Sequence, residues 1–257
     1  MKRQKTRRTL LLLSALLFPI TLNYFSPYLI IRGGFEGVLS GSALVFAGML
    51  LSSLFFGRAF CGWVCPAGAL QEATTEINGR PAGNKLRYVK YFIWVPWLGA
   101  IAAGFISTGG IKRIDALYCT DYGISVSAPA GYIIYFFVVG LIVMLSLVIG
   151  RRAACHSICW MAPFMVLGSL LNEKLGLPGL RLRAEAEQCV SCKACEKRCP
   201  MSLPVSEMVK TGKPYHAECI LCGRCADGCA KGALSLRFGA AQPAVCTSPE
   251  VGRDLPG

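Results

Sequence analysis

The sequence predicts an all-α polytopic membrane domain, with four transmembrane helices arranged as two hairpins, followed by a small, cysteine-rich α+β domain. Three observations support this fold class. The 257 residues are 54% hydrophobic and only 16% charged, with a mean hydropathy of +0.49. A soluble globular protein carries about 25% charged residues. Long uncharged runs occupy the first part of the chain, and most of the 14 cysteines crowd towards its end.

Four uncharged runs predict the transmembrane helices, at residues 9–31, 38–56, 91–110 and 122–150. Each run is long enough to cross a hydrocarbon layer of about 30 Å at about 1.5 Å per residue. Prolines inside them, at Pro19, Pro27 and Pro96, predict kinks or early helix ends. The first run is longer than the apolar part of a cleaved signal peptide, so we expect a retained anchor.

The basic residues predict the orientation of these helices. The net charge is +13, and we interpret the excess as membrane orientation rather than nucleic-acid binding because charges are few overall. Basic residues cluster before the first run, between the second and third, and after the fourth, at Lys2, Arg3, Lys5, Arg7, Arg8, Arg58, Arg80, Lys85, Arg87, Lys90, Arg151 and Arg152. Basic loops stay in the cytoplasm, so both termini are expected there, in the cytoplasmic (inner) membrane of a cell.

A fifth uncharged run, residues 153–172, leaves one ambiguity in this topology. If it crossed the membrane, everything after it would lie outside. Lys174, Arg181 and Arg183 follow closely and resist translocation. We therefore expect an interfacial or re-entrant helix.

An internal repeat ends each predicted hairpin. The C-x3-C motif of Cys61 and Cys65 follows the second run, and a similar motif of Cys155 and Cys159 follows the fourth. Two related copies would bring the four cysteines together on one side of the membrane. They are candidates for a redox dithiol set or a further metal site, and the alternative is a pair of loops without a ligand.

The composition changes after the fifth run and gives the domain boundaries. We expect a four-helix membrane domain at 1–152, the second C-x3-C motif with an interfacial helix and a linker at 153–180, a cysteine-rich domain at 181–238 and a flexible tail at 239–257. The linker contains Gly176, Pro178 and Gly179, which are typical of turns.

Two cysteine runs in the third segment carry the strongest signal. Cys189, Cys192, Cys195 and Cys199 have the spacing C-x2-C-x2-C-x3-C, and Cys219, Cys222, Cys225 and Cys229 repeat it. This is the spacing of bacterial-type ferredoxins with two 4Fe-4S clusters, in which the last cysteine of each run binds the other cluster. The expected ligand sets are Cys189, Cys192, Cys195 and Cys229 for cluster 1, and Cys219, Cys222, Cys225 and Cys199 for cluster 2.

Zinc and disulfides are the alternatives for these runs. Zinc sites usually take their four ligands as two separated pairs, and disulfides are rare in a reducing cytoplasm. Two 4Fe-4S clusters are therefore the prediction. Cys119 and Cys246 have no partner nearby in the sequence and are expected to be structural or incidental.

With these motifs in place, the chain resembles the polytopic membrane ferredoxins of the NapH/MauN type, which are membrane components of quinol dehydrogenases, and the related modules of the NosR and CcoG families. The resemblance rests on Cys61 to Pro66, the second C-x3-C motif and the paired ferredoxin runs. It implies an inner-membrane subunit that passes electrons between the quinol pool and a redox partner such as a cytochrome, a ferredoxin or a reductase subunit. The second motif departs from the pattern, because Pro163 follows Cys159 only after three other residues.

Other polar and aromatic residues are weaker candidates. His156 could accept a quinol proton, since imidazole titrates near neutrality, and His216 could support a cluster ligand. Trp63, Tyr91, Trp94 and Trp97 could line a quinone pocket, although an interfacial aromatic belt is the favoured interpretation.

Electron transfer is the predicted function, and two alternatives remain open. The clusters could form a membrane redox sensor or regulator, or the C-x3-C pairs could handle copper for oxidase assembly, as the resemblance to CcoG implies. No Ser-His-Asp set, phosphate-binding glycine loop or nucleotide fingerprint is found in the sequence.

Overall fold

A computed structural model describes residues 2–212 and 214–240. The helices within it are α1 (Lys2–Leu16), α2 (Phe18–Thr21), α3 (Pro27–Glu36), α4 (Gly41–Phe56), α5 (Ala59–Trp63), α6 (Pro66–Thr74), α7 (Val89–Ser107), α8 (Pro129–Ile149), α9 (Ala153–Ser157), α10 (Met161–Leu175), α11 (Ala194–Arg198), α12 (Val205–Lys210) and α13 (Arg224–Asp227). The strands are β1 (Val38–Ser40), β2 (Arg113–Asp115), β3 (Gly179–Ala184) and β4 (Leu234–Gly239), and short 3-10 helices cover Leu22–Phe25, Asn84–Tyr88 and Ala186–Gln188.

Two or three helical segments are long and apolar enough to cross a membrane. α8, with 21 residues, and the 23-residue segment Lys85–Ser107 meet this condition, and Lys2–Leu16 with Phe18–Phe25 makes a third if this pair, bent by 61°, is one span. α4 is apolar but has only 16 residues, about 24 Å of helix. The predicted count of four spans therefore remains a prediction.

Local sequence explains why two of the four predicted runs differ from single long helices. In the first run, Pro19 lies in the first turn of α2 and Pro27 in the first turn of α3, where proline is tolerated but cannot continue a preceding helix. In the second run, the Ser40 side chain accepts a hydrogen bond from the Ala43 amide and begins α4 there. Pro96 lies inside α7, which continues through it.

A small parallel sheet corrects the prediction that this part of the chain is all-α. β1 pairs with β2 in the register Val38 with Arg113 and Ser40 with Asp115. It joins the segment before α4 to the loop between α7 and α8. The apolar run therefore spends its first residues on strand pairing, which shortens the helix.

α10 packs along α4 and is not among the described helices long and apolar enough to span. Its interfacial or re-entrant placement stays a prediction. Phe164 packs on Phe46 with ring centroids 5.5 Å apart, and the side-chain amide of Asn172 donates to the Leu54 carbonyl. Contacts that advance in the same order along both helices show that α4 and α10 run in the same direction. Gly168 allows this approach, because a Cβ atom there would lie 2.8 Å from the Leu50 carbonyl oxygen.

The cysteine-rich domain is a two-stranded antiparallel sheet that packs against the cysteine loops and short helices. β3 pairs with β4 from Gly179 with Gly239 to Ala184 with Leu234, close to the predicted limits of 181–238. Its core residues, such as Leu203 and Ile220, belong to the same buried apolar cluster as Phe46 and Met165 of the membrane domain. The two domains therefore share one core. The predicted tail covers 239–257, but Gly239 is the last residue of β4. Residues 241–257, with Cys246, lie outside the described residues.

Candidate iron-sulfur centre

The second cysteine run and the last cysteine of the first run surround one cavity. Cys199, Cys219, Cys222 and Cys225 all line it, together with apolar residues such as Leu203, Met208 and Ile220. These four cysteines are the ligand set that the spacing predicts for cluster 2. Their thiols affect one another, since Cys219, Cys222 and Cys199 all help burial to raise the pKa of Cys225.

Backbone amides point at the sulfurs of this set. The Leu203 amide donates to Cys199 Sγ at 3.5 Å, and the Leu221 and Ala226 amides bond to Cys219 and Cys225. Positive φ angles at Leu221 and Gly223 turn the loop back on itself so that these amides face inward. Such hydrogen bonds stabilise negative charge on ligand sulfur and tune the potential of a bound cluster.

The cluster 1 set lies nearer the surface. Cys192 is exposed, and Cys189, Cys195 and Cys229 are half-buried. Cys189 and Cys195 are close enough to interact electrostatically, and α11 packs against α13, which ends just before Cys229. The two predicted sets thus differ in exposure, one facing solvent and one facing the membrane domain.

The loop of the cluster 2 set is seated on the first C-x3-C motif. Gly62 lies so close to it that a Cβ atom would be 2.2 Å from the Ile220 carbonyl oxygen. Trp63 Nε1 donates to the Leu221 carbonyl at 3.0 Å. Position 62 therefore has no room for a side chain against the Ile220 carbonyl of the ferredoxin loop.

The structure brings the four C-x3-C cysteines together. Cys61, Cys65 and Cys155 are buried and Cys159 is half-buried. Burial, followed by the Cys155 and Cys61 thiols, raises the pKa of Cys159 to about 12. Burial and the same neighbours also raise the pKa of Cys65 well above its usual value. Gln71 links the two motifs. It lies in α6, the helix that follows Cys65, and its side-chain amide donates to Cys155 Sγ at 3.1 Å.

Two fully buried arginines flank these cysteines and were not singled out by sequence reasoning. Arg152 donates to the Cys61 carbonyl at 2.8 Å, and Arg58 forms an ion pair with Glu218. Arg58 Nε and Nη2 and Arg152 Nε are buried and have no hydrogen-bond partner among the described residues. Such unpaired donors are costly, and thiolates or a bound anionic group would satisfy them.

Two glutamates compensate the buried basic residues. Glu218 pairs with Arg58 and with Lys90, at 2.5 Å, and Glu72 pairs with Arg7 and with Arg152, at 3.2 Å. Burial alone would raise the pKa of Glu218, but the Arg58 and Lys90 cations lower it to about 2. These four basic residues are therefore structural charges. The orientation prediction counts all four among the basic loop residues, and the structure shows that they are buried.

The donor sets fit cubane clusters better than a single metal ion. Within the described ranges, no three His, Cys, Asp or Glu side chains approach closely enough to hold one ion. The cluster 2 cysteines line one cavity but do not form such a group. Four cysteines around an enclosed cavity, with amides aimed at their sulfurs, fit a 4Fe-4S cluster.

The two histidines lie near the Arg58, Lys90 and Glu218 charges, and their predicted roles stay predictions. His156 is buried, and burial together with the Arg58 and Lys90 cations lowers its pKa to about 4, which makes it a weak proton acceptor near neutrality. His216 Nδ1 accepts from the Glu218 amide at 3.1 Å, so it does not donate from that nitrogen to a ligand sulfur.

Of the four aromatic residues, Trp97 is buried and Trp63, Tyr91 and Trp94 are half-buried, so the interfacial belt stays a prediction. Trp97 is buried, donates to the Pro27 carbonyl at 3.1 Å and packs on Phe164. Trp94 packs on Phe164 as well. Tyr91 Oη lies 3.5 Å from Glu218.

Cys119 is exposed, on the loop between α7 and α8.

Comparison with known families agrees with this geometry. A family model described as a 4Fe-4S binding domain matches residues 39–82 and 130–178, which contain the two C-x3-C motifs. A second, a 4Fe-4S dicluster domain, matches residues 188–234, which contain both ferredoxin runs. The chain is therefore similar to the ferredoxin-type 4Fe-4S proteins of the NapH/MauN kind.

Three curated relatives illustrate this similarity. The putative electron transport protein YccM of Escherichia coli is 26% identical over 84% of this chain and 61% of its own length. The methylamine utilization ferredoxin-type protein MauN of Paracoccus denitrificans is 27% identical over 68% of this chain and 60% of its own. The ferredoxin-type protein NapH of Haemophilus influenzae is 24% identical over 75% and 66%.

The chain spans less than two thirds of the length of each of these relatives. No solved structure matches it. The matched domains and relatives support 4Fe-4S clusters and an iron-sulfur electron-transfer role. The links to NosR and CcoG remain predictions.

Proposed function

We propose that this protein exchanges electrons between a membrane quinol and a separate redox protein, as the membrane component of a quinol dehydrogenase. The observation that carries the proposal is the seating of the cluster 2 loop on the membrane domain, at Gly62 and Trp63. The loop that would bind one cluster is thereby packed directly against α5, the short helix that follows α4.

The two ligand sets are arranged for transfer in sequence. The cluster 2 cysteines are enclosed by the shared core, whereas the cluster 1 set includes the exposed Cys192. Each cubane, when bound, supplies reversible uptake of one electron. Oxidation of one quinol releases two electrons and two protons, so two such centres suffice for the electrons, and the protons go to water.

A basic surface beside the ferredoxin domain supports docking of an acidic partner. A cleft there contains Lys5, Arg8, Arg151, Lys197, Arg198 and Arg224, with Asp227 as its acidic residue. We call it the basic cleft. It also includes Pro200 and Gly228, which adjoin Cys199 and Cys229. An acidic redox protein attracted to this cleft would be held beside the cluster ligands.

We also propose that Cys61, Cys65, Cys155 and Cys159 hold a third 4Fe-4S cluster. Four thiolates in a buried site need compensating cations, and Arg58 and Arg152 supply them with donors left unpaired. The contact between Gly62 and Ile220 would place this centre beside the cluster 2 loop. A redox dithiol set or a copper site at the same four cysteines is the alternative.

The proposed location is the cytoplasmic membrane, with the amino terminus and the ferredoxin domain in the cytoplasm and four crossings at α1 with α2, α4, α7 and α8. Discounting Arg7, Arg58, Lys90 and Arg152 as buried still leaves the remaining basic residues concentrated at the ferredoxin end. Such an excess favours the cytoplasmic side.

Anaerobic purification with iron analysis and EPR tests the proposal. We expect about twelve iron atoms per chain, falling to about eight when Cys61 and Cys155 are both replaced by serine. Reduced quinone analogue should reduce the centres. Iron near eight in the wild type overturns the third cluster, and centres that quinol never reduces overturn the quinol link. Copper bound at the C-x3-C pairs would support the assembly function instead.

A further inference from the structure

A cavity of about 310 Å³ lies between the membrane helices and the ferredoxin domain. We call it the boundary pocket. The ends of α4 and α10 form one side of it, through Phe55 and Asn172, while Leu180, Tyr215 and Cys219 form the other. Its volume falls within the range of small-molecule sites, about 300 to 1,000 Å³.

The boundary pocket shares a wall with the cluster 2 cavity. Leu182, Cys219 and Leu221 line both spaces. A molecule in the pocket would therefore lie directly beside Cys219, one of the predicted cluster 2 ligands. This position suits a ligand that gives or takes electrons.

Two hydrogen-bond donors on the lining are unused. Tyr215 Oη and Arg181 Nε are buried and have no partner within the part of the chain that the structure describes. Burial raises the pKa of Tyr215 to about 12, so its hydroxyl keeps its proton. Buried donors without acceptors are unfavourable, and a ligand with a carbonyl oxygen would satisfy them.

Apolar residues exposed beside the pocket give access from a membrane. Phe55 and Phe56 at the end of α4 are 44% and 52% exposed, and Leu175 at the end of α10 is 64% exposed. Phe238 of β4 packs against Phe56, with ring centroids 6.3 Å apart. A lipid-soluble molecule can approach along this surface without entering water.

We propose that the boundary pocket binds the head group of a membrane quinone, with Tyr215 and Arg181 donating to a carbonyl oxygen and the ring lying beside Cys219. This inference rests on the proposed function and assigns its quinone site. A phospholipid head group is less suitable, because Glu173 already neutralises Arg181 and leaves no unpaired charge for a phosphate.

Binding of decylubiquinone to the holoprotein in nanodiscs tests the site. Tyr215→Phe removes a hydroxyl that bonds to nothing in the described protein, so folding should be unaffected while Kd rises about tenfold. Leu180→Trp fills the cavity and should abolish binding. Tyr88→Phe, at a tyrosine that is 68% exposed, is the matched control and should bind as the wild type does. Iron content and cluster EPR spectra should be unchanged in all three.

The outcomes separate the pocket from the proposed function. If the wild type binds decylubiquinone and both pocket variants bind it equally well, the site lies elsewhere and this inference is overturned. A phospholipid that native mass spectrometry finds in the wild type but not in Leu180→Trp, with quinone binding unchanged, overturns it as well. If the wild type neither binds decylubiquinone nor is reduced by decylubiquinol, the quinol link itself fails.

Discussion

Gly62 shows how a single residue can join a membrane domain to an electron carrier. It lies inside the first C-x3-C motif, against the Ile220 carbonyl of the cluster 2 loop. Because the neighbouring atom belongs to the backbone, it cannot move aside as the end of a flexible side chain would. The spacing of cysteines alone gave no sign of this contact.

Gly62→Ala should displace the cluster 2 loop and destabilise the protein by about 1 to 3 kcal/mol, the usual cost of overpacking. EPR of the reduced holoprotein should show a changed cluster 2 signal with cluster 1 unaffected. Gly48→Ala is the control, since nothing lies within 4 Å of its added Cβ. Equal behaviour of the two variants would contradict the close contact.

Glu72 holds buried arginines and should make stability depend on pH. Burial alone would raise the pKa of Glu72, but the Arg7 hydrogen bond and the Arg152 charge lower it to about 2, from about 4.5 when exposed. Its stabilising contribution is therefore complete above about pH 4.5 and is lost as the pH falls towards 2.

Glu72→Gln should destabilise the protein by about 3 kcal/mol at neutral pH, because it leaves Arg7 and Arg152 unpaired. Thermal unfolding in detergent measures this loss, which should shrink at acid pH. Glu36→Gln alters an exposed pair with Arg32 and should cost less than about 1 kcal/mol. A loss at Glu72 no larger than this would show that the buried pairs contribute little.

At the scale of elements, the packing of α10 on α4 positions both the C-x3-C region and the boundary pocket. The close approach depends on Gly168, beside Ser53 and the Leu50 carbonyl. An apolar run followed by basic residues is the basis for predicting that this segment does not cross, and this stays a prediction. Its direction and its partner helix were not predictable, because they depend on contacts between residues more than a hundred positions apart.

Gly168→Ala should lower the free energy of unfolding by about 1 to 3 kcal/mol through overpacking. Denaturation in mild detergent, followed by tryptophan fluorescence, provides the measurement. Gly140→Ala in α8 has open space around the added methyl group and should be neutral or slightly stabilising. If Gly168→Ala is equally harmless, the two helices do not pack as described.

The elements also show where sequence reasoning was sufficient. Cysteine spacing predicted the paired ferredoxin runs, because a cubane dictates local ligand geometry. The length of an uncharged run was a poorer guide to where a helix begins, since α3 begins at Pro27 and α4 begins after Ser40, both within apolar runs. The buried roles of Arg58 and Glu218 were not visible, because ion pairing between residues 160 positions apart leaves no local pattern.

At the scale of the whole molecule, the uneven charge distribution predicts how a partner is captured. Lys5→Glu combined with Lys197→Glu in the basic cleft should slow association with an acidic electron acceptor about tenfold at low ionic strength. The difference should fade in 1 M salt, where screening acts over about 3 Å. Stopped-flow kinetics at several salt concentrations gives these rates.

Lys112→Glu is the control for this experiment, since this exposed lysine lies in the loop between α7 and α8, away from the ferredoxin domain. It changes charge without changing the cleft and should leave the association rate nearly unaltered. A similar slowing in both variants would indicate that net charge, and not the cleft, governs the encounter.

The apolar core shared by the membrane helices and the ferredoxin domain also bears on kinetics. In a protein whose redox domain moves on a flexible linker during turnover, a viscous solvent such as glycerol slows that movement. Here the folded structure fixes the distance between the boundary pocket and the cluster 2 cysteines, so the electron transfer between them needs no domain movement. Electron passage from the lipid side into the buried centre should therefore be indifferent to viscosity, and only the meeting with the external protein should depend on it.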